Sequence, residues 1–534
     1  MIFMAAQKQQ SLSITVHQLD SVCQQLIDQG VADQACKVLF AFLQQGQVDF
    51  NAVYRCIEAM LKADDADALN ELVDRLEKAF PNDVRTWKLA YLAAYGRRDH
   101  EQAWRALSRA EVIGPVTADI IVGKAEIHEK QFQPEKALSL LQTLTEVEAE
   151  MKPRLLGVQV AALEQLGRGA EALALLQAFL PGAPDTREVA RAAKILGRLH
   201  DKEKNYAQAF SAWQQGNEMM LKVAGEPLNQ NPVRLRIQAF KQVFEADWVN
   251  QWSVVEEAEN APVFLVGFPR SGTTLLEQVL DAHPDVVALE ERGGLDHAVN
   301  YVDREILGNS FPGDVNQAKG YRYESLAKLT PAQIQKARDI YFSEMSRYVD
   351  VKSKECFVDK MPMNMYLVGF IQRIFPQAKI ILALRHPADC VLSAWSQTFN
   401  LNMAMMHMLD LESAARLHQD MFGLFDQCVN ALGVKDRVHE VRYEDLVGDL
   451  EASAKKVLRF LDLDWDESVL NYHEHAKSRA IATPSYQGVT QKIYSTSRER
   501  WRNYAKWMEP VLPYFRQAAE RYGYDLTMPP ADTL

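Results

Sequence analysis

Apolar residues recur at i, i+3 and i+4 through the first 225 residues, broken at regular intervals by short polar turns. The segments EQAWRAL, EKALSLL, AEALALL and AQAFSAW all have this helical spacing. Each follows a polar turn (YGRRDH, EKQFQP, LGRG, DKEKN), and a second helical run such as TWKLAYLAAYG or VQVAALEQLG precedes that turn. A small residue holds the same place in successive units: Ala35, Ala68, Ala103, Ala137, Ala172 and Ala209, at intervals of 33, 35, 34, 35 and 37 residues. This period predicts paired helices with an alanine where they approach most closely. One such unit cannot bury its apolar face alone, so about six are expected to stack over residues 15–225 into a superhelix with a concave groove.

The pattern changes at Ala261. PVFLVGF is a short apolar run rich in β-formers, followed by PRSGTT and then by LLEQVLDAHP with helical spacing. Strand, glycine-containing loop and helix are the parts of a phosphate cradle, in which backbone N–H groups and the helix N-terminus point at the anion. From Gly267 to Thr274 the chain reads G-x-x-x-x-G-T-T, so Thr273 stands where nucleotide-hydrolysing loops carry a lysine for the β and γ phosphates. That replacement points away from ATP or GTP hydrolysis and toward a nucleotide with a shorter anionic group, with Arg270 as a fixed cation. A second strand–helix unit, AKIILALRHPADCVLSAW, places Arg385 at the carboxyl end of a buried strand and Ser393 on the following helix. Open α/β sheets bind ligands at that edge, where an arginine fork and a hydroxyl could share a phosphate. Residues 226–260 read as a linker, and 261–534 as an α/β domain with a mainly parallel sheet covered by helices on both faces.

Composition narrows the function classes. At 534 residues the chain exceeds the ~150 of a typical domain, and 48% apolar with 24% charged residues is an ordinary globular balance. With 59 basic against 71 acidic residues the net charge is −12, so nucleic acid is not expected as a partner. Residues 477–506 are a local exception, with seven basic side chains and one acidic, Glu499. No apolar run reaches the ~20 residues of a membrane span, and the segment MIFMAAQKQQSLS lacks a secretory signal pattern. Six cysteines without CxxC spacing read as reduced, buried thiols of a cytoplasmic protein. His473 and His475 have no further Cys/His cluster nearby, and no metal is expected.

The helical half resembles tetratricopeptide repeats in its period of about 34 residues and its paired helices. In the second half, FPRSGTTLLEQVLDAHPDV followed by LRHPADCVLSAW resembles sulfotransferases that use 3′-phosphoadenosine 5′-phosphosulfate (PAPS), over roughly residues 261–510. The tyrosylprotein branch is the nearer one, on the LDAHPDV-like stretch, the glutamate pair Glu290–Glu291, the element Asp359-Lys360-Met361-Pro362 and the RYEDL element from Arg442 to Leu446. Bacterial-type proteins that join tetratricopeptide repeats to a sulfotransferase domain share the overall layout.

That resemblance implies specific roles. Glu291 would be the general base, with Arg270 and Lys360 facing the charge that develops on the bridging oxygen and Ser485 as a further stabiliser. Ser271, Gly272, Thr273 and Thr274 would hold the 5′-phosphosulfate, while Arg385 and Ser393 would hold the 3′-phosphate and Tyr443 would lie at the nucleotide. A segment from Ser485 to Tyr494, with Arg500 before Trp501, would close over the donor. Gln397 stands where the branch has an arginine, and His297 is a sequence-near rival for the base. The implied activity is sulfuryl transfer to a hydroxyl acceptor, with the repeat groove recruiting the acceptor or a protein or peptide partner. Two other readings stay open from the residues: a P-loop nucleotide kinase or NTPase, and a repeat scaffold with an inactive transferase domain.

Overall fold

The computed structural model describes residues 15–28, 32–63, 66–97, 99–225, 231–258, 260–303, 323–399, 401–477 and 498–530. The chain divides into two compact units, Met1–Ala183 and Pro184–Leu534.

The first unit is all-helical among its described residues. Successive helices pair: Val16–Asp28 with Ala32–Gln44, Phe50–Ala63 with Ala66–Ala79, Val84–Gly96 with His100–Ile113, Ala118–Lys130 with Pro134–Leu141, and Lys152–Gln165 with Gly169–Phe179. The periodic alanines are the reason the pairs fit. Ala35, Ala103, Ala137 and Ala172 have no exposed surface, and Ala68 is partly buried. Gly123 serves the same end, since a Cβ there would meet a Leu107 methyl at 2.9 Å. Several turns carry their own cap: the Asp83 carboxylate accepts from Arg85 N, and that of Asp99 from Gln102 N.

The second unit opens with one more helical hairpin, Arg187–Lys202 and Tyr206–Ala224, which contains the last periodic alanine, Ala209. This hairpin packs on the α/β layer. Phe210 lies between Trp395 and Trp507, with centroids 4.5 and 4.9 Å away. Asn217 Nδ2 donates to the Trp395 carbonyl at 3.1 Å, and Lys194 Nζ donates to the same oxygen. Between 226 and 260 the described residues form the helices Pro232–Val243 and Ala246–Val249. Phe240, Phe244 and Trp248 from these helices sit in the main core. The fit is tight: a Cβ on Gly369 would fall 2.2 Å from the Phe244 ring.

Five parallel strands form the sheet: β1 (Val263–Gly267), β2 (Val286–Glu290), β3 (Cys356–Lys360), β4 (Ile380–Leu384) and β5 (Val438–Arg442). Their spatial order is β2-β3-β1-β4-β5. The registers pair Leu265 with both Lys360 and Ile381, so β1 is the central strand. Helices cover both faces, as the near-continuous apolar character of β1 and β4 requires. Leu275, Leu276, Val279, Val457 and Leu458 pack with Leu265, Val358 and Ile381 in one core cluster. Tyr341, Phe370, Phe375 and Phe425 pack with Phe264, Val266 and Phe357 in another. Among the described residues no helix is long and apolar enough to cross a membrane.

Strand alternation gives β3 an unusual ending, because both Asp359 and Lys360 are fully buried and successive side chains point to opposite faces. Asp359 Oδ2 accepts from the Tyr341 hydroxyl at 3.0 Å. Burial pushes its carboxyl up to about 7; the Tyr341 bond and Lys360 oppose that rise, and Asp296 adds to it. A carboxyl whose folded-state pKa exceeds the unfolded one binds its proton more tightly when folded. Its stabilising contribution is therefore present below about pH 4 and lost as the pH rises through about 7. Asp359→Asn keeps an acceptor for Tyr341 and removes the titration. In urea unfolding the variant should gain stability relative to the parent between about pH 4 and about pH 7. A pH-independent difference would mean that Asp359 is ionised throughout.

Candidate active site at the carboxyl edge of the sheet

The carboxyl ends of all five strands run into residues singled out from the sequence. Gly267 ends β1 and leads into the loop Phe268–Gly272; Glu290 ends β2 and precedes Glu291; Lys360 ends β3; Arg385 follows β4; Tyr443 follows β5. In an open α/β sheet this edge is the ligand-binding edge, since helices pack on the faces and only the loops there are free to vary.

The loop owes its shape to two left-handed residues, Arg270 at φ +72° and Gly272 at φ +98°. Gly272 is required for space as well: a Cβ there would fall 2.7 Å from the Tyr443 ring. Gly267 is equally constrained, because its Cβ would meet the Ala383 carbonyl oxygen at 2.6 Å and Ser271 Oγ at 2.7 Å. The helix Thr273–Asp281 starts immediately afterwards, with Thr273 and Thr274 buried. Its first amides lack intrahelical partners and point out of the N-terminus, the ordinary provision for a phosphate. Ser271 Oγ is buried and has no hydrogen-bond partner among the described residues. An unmet hydroxyl beneath a loop of this form fits an anion that supplies the missing contact.

The β4 side adds two arginines. Arg270 Nε donates to Ser393 Oγ at 3.1 Å, and Arg385 Nη1 donates to the Arg270 carbonyl at 3.1 Å. The Arg385 guanidinium also lies 4.8 Å from the centre of the Tyr443 ring. Arg270, Arg385, Ser393 and Tyr443 thus come together although 173 positions separate the first from the last (443 − 270). The neighbouring residue His386 stacks on Trp501 at 5.3 Å, and Asp389 accepts from Trp501 N at 2.8 Å, so the chain after residue 498 is held at this helix.

On the β3 side Lys360 Nζ has no solvent exposure and faces three carboxylates: Glu291 at 2.9 Å, Glu290 at 3.3 Å and Glu277 at 3.3 Å. Burial disfavours the ammonium, but Glu277, Glu291 and Glu290 together outweigh it and hold its pKa above the ordinary lysine range. Glu291 is the exposed member, with 38% of its side chain accessible against 12% for Glu290 and 1% for Glu277. Its backbone is left-handed at φ +44°, fixed by Glu291 N donating to the Lys360 carbonyl at 2.8 Å. A glutamate held in that strained region with a water-accessible carboxylate is suited to proton transfer with a bound ligand.

Arg500 Nη2 pairs with Asp201 Oδ2 at 2.9 Å and lies over Trp213 and Tyr504. Ser485, and the whole stretch from Ser485 to Tyr494, lie outside the described residues. His297, the sequence-near rival to Glu291, is exposed on the helix Gly294–Tyr301. Glu277 was not anticipated. The sequence carries no signal for it: that every residue from Thr273 to Leu280 is buried, so that this glutamate demands a buried partner, is seen only in the structure.

Residues 262–467 match the model of the sulfotransferase family. An uncharacterized protein of Aquifex aeolicus is 25% identical over 367 residues, which cover 68% of this chain and 46% of that protein. Protein-tyrosine sulfotransferase A of Caenorhabditis elegans is 28% identical over 237 residues, covering 43% of this chain and 57% of the relative. The chain therefore spans about half the length of these curated relatives. Among solved structures, the sulfotransferase domain of the Synechococcus PCC 7002 olefin synthase aligns over 52% of this chain and 99% of that domain, at 24% identity and a TM-score of 0.36. The region that matches the sulfotransferase family model, residues 262–467, contains the phosphate loop and all five strands of the sheet.

Proposed function

We propose that this chain transfers a sulfuryl group from PAPS to a hydroxyl acceptor. The observation that carries the reading is the placing of Glu291, Lys360 and Arg270 at the carboxyl ends of the adjacent strands β2, β3 and β1, beside a phosphate loop with Thr273 in the usual lysine position.

In this scheme the acceptor O–H gives its proton to the Glu291 carboxylate as the acceptor oxygen forms a bond to sulfur. The bond between sulfur and the 5′-phosphate oxygen breaks, and its electron pair leaves with 3′-phosphoadenosine 5′-phosphate (PAP). Lys360 and Arg270 face that oxygen as it gains charge, the electrostatic contribution that usually dominates such catalysis. The amides of Gly272, Thr273 and Thr274 would hold the 5′ group, and Ser271, whose own amide is bonded to the Phe268 carbonyl, supplies its hydroxyl as a further donor. Arg385 and Ser393 take the 3′-phosphate, a charge-assisted contact on a rigid helix, with Tyr443 alongside. The name of the Caenorhabditis elegans relative, a protein-tyrosine sulfotransferase, supports a hydroxyl acceptor, which here would be protein tyrosine, carbohydrate or small molecule. The paired-helix repeats would recruit that acceptor or a partner protein through their groove.

Two variants test the assignment. Arg385→Ala should weaken PAP binding in calorimetry by about tenfold or more, since a charged hydrogen bond to phosphate is worth roughly 1.5–3 kcal/mol. Unchanged affinity would remove Arg385 from the donor site. Glu291→Gln should bind PAP as the parent does while losing release of PAP from PAPS in the presence of a phenol such as 4-nitrophenol. Full turnover by that variant would assign the base to another residue.

A further inference from the structure

Three carboxylates around one ammonium are more than a base and its electrostatic partner need. A Glu291–Lys360 pair alone would be neutral, yet Glu290 and Glu277 raise the cluster to three negative charges against one positive at a site built for an anion. Glu277 is the costly member. It stands on the phosphate-loop helix, one turn beyond Thr273, among residues that are buried from 273 to 280. No solvent reaches its carboxylate, so protein charges alone must stabilise it.

The reaction explains what such a residue would do. When Glu291 takes the acceptor proton it becomes neutral, and Lys360 loses its nearest counter-ion at the moment its positive charge is needed. With only the partly exposed Glu290 beside it, a lysine that has no exposed surface would more readily shed a proton or move. Glu277 does not face the acceptor proton and keeps its charge through the step. It also comes from a different element, so it ties the end of β3 to the helix whose N-terminus cradles the phosphate. We infer that Glu277 is a positioning residue that keeps Lys360 charged and seated against the phosphate-loop helix while Glu291 is protonated. This rests on the sulfuryl-transfer reading above.

Among the described residues, the charged groups facing Lys360 are Glu277 from the helix and Glu290 and Glu291 from the end of β2, while Asp359 next to it in β3 points to the other face and feels it only through its charge. PAP binding, followed by calorimetry from about pH 7 to about pH 10 in a full-chain Glu291→Gln parent that mimics the protonated base, reads the state of Lys360 without needing an acceptor. The parent should bind with nearly constant affinity, because its ammonium outlasts that range. Glu277→Gln should bind as well as the parent at about pH 7, with one fewer negative charge nearby. Its affinity should then fall by about fivefold or more toward pH 10 as Lys360 deprotonates. Glu277→Asp should restore part of the flat profile, and it answers the question if the glutamine variant does not fold. Lys360→Met should bind weakly with no alkaline fall, and adding Glu277→Gln to it should change nothing further. A Glu277→Gln profile that stays as flat as the parent's would overturn the inference while leaving the transferase reading intact. Absence of PAP binding by the parent would overturn both.

Discussion

A charged amine with no access to water sits at the end of β3, and much of this site follows from keeping it there. Lys360 belongs to a strand that pairs with β1 and β2, so its place is fixed by the sheet rather than by a loop. Burying an ammonium is expensive unless partners replace its hydration, and three carboxylates from two other elements do so. Two of them end β2, which must lie next to β3 for the contact to form. The third rides on the phosphate-loop helix, which must pack on that face. Strand order, helix placement and the left-handed turn at Glu291 are thus tied to one charge.

A second constraint operates on the β4 side. Gly272 has to lack a side chain because the Tyr443 ring lies against it, and that ring in turn underlies the Arg385 guanidinium. Arg385 reaches back to the Arg270 carbonyl, and Arg270 reaches Ser393. These contacts make the loop a rigid object before any ligand binds, which lowers the ordering cost of binding a multiply charged donor. The hairpin Arg187–Lys202 and Tyr206–Ala224 extends the same support. By holding the Trp395 carbonyl it fixes the end of the helix that carries Ser393.

What the sequence made legible is local. The period near 34 residues announced helix pairs, and the alanines it picked out are the close contacts. The apolar run before PRSGTT announced the central strand, and the loop, Arg385, Ser393, Lys360 and Glu291 all reached the same sheet edge. What escaped depends on packing between distant segments. The repeat pattern continues unbroken through Ala209, while the boundary between compact units falls after Ala183, because a periodic pattern reports a hairpin and not the surface it packs on. Residues 226–260 read as a linker, and within them Phe244 and Trp248 pack into the main core against distant segments. Glu277 looked like one polar position in an amphipathic helix, and only the arrival of Lys360 from 83 positions away (360 − 277) gives it a purpose. Arg500 was placed by spacing from Trp501, and the distant Asp201 is the partner its guanidinium takes.

The central claim is that this edge holds a PAPS-type donor. The direct measurement is the shift in melting temperature of the full chain with PAP, beside ATP with magnesium. Binding to the native state alone stabilises by RT ln(1 + [L]/Kd), about 2.7 kcal/mol at a hundredfold excess over Kd. The account predicts a clear upward shift with PAP and little with ATP and magnesium. A shift with ATP and magnesium but none with PAP would contradict it.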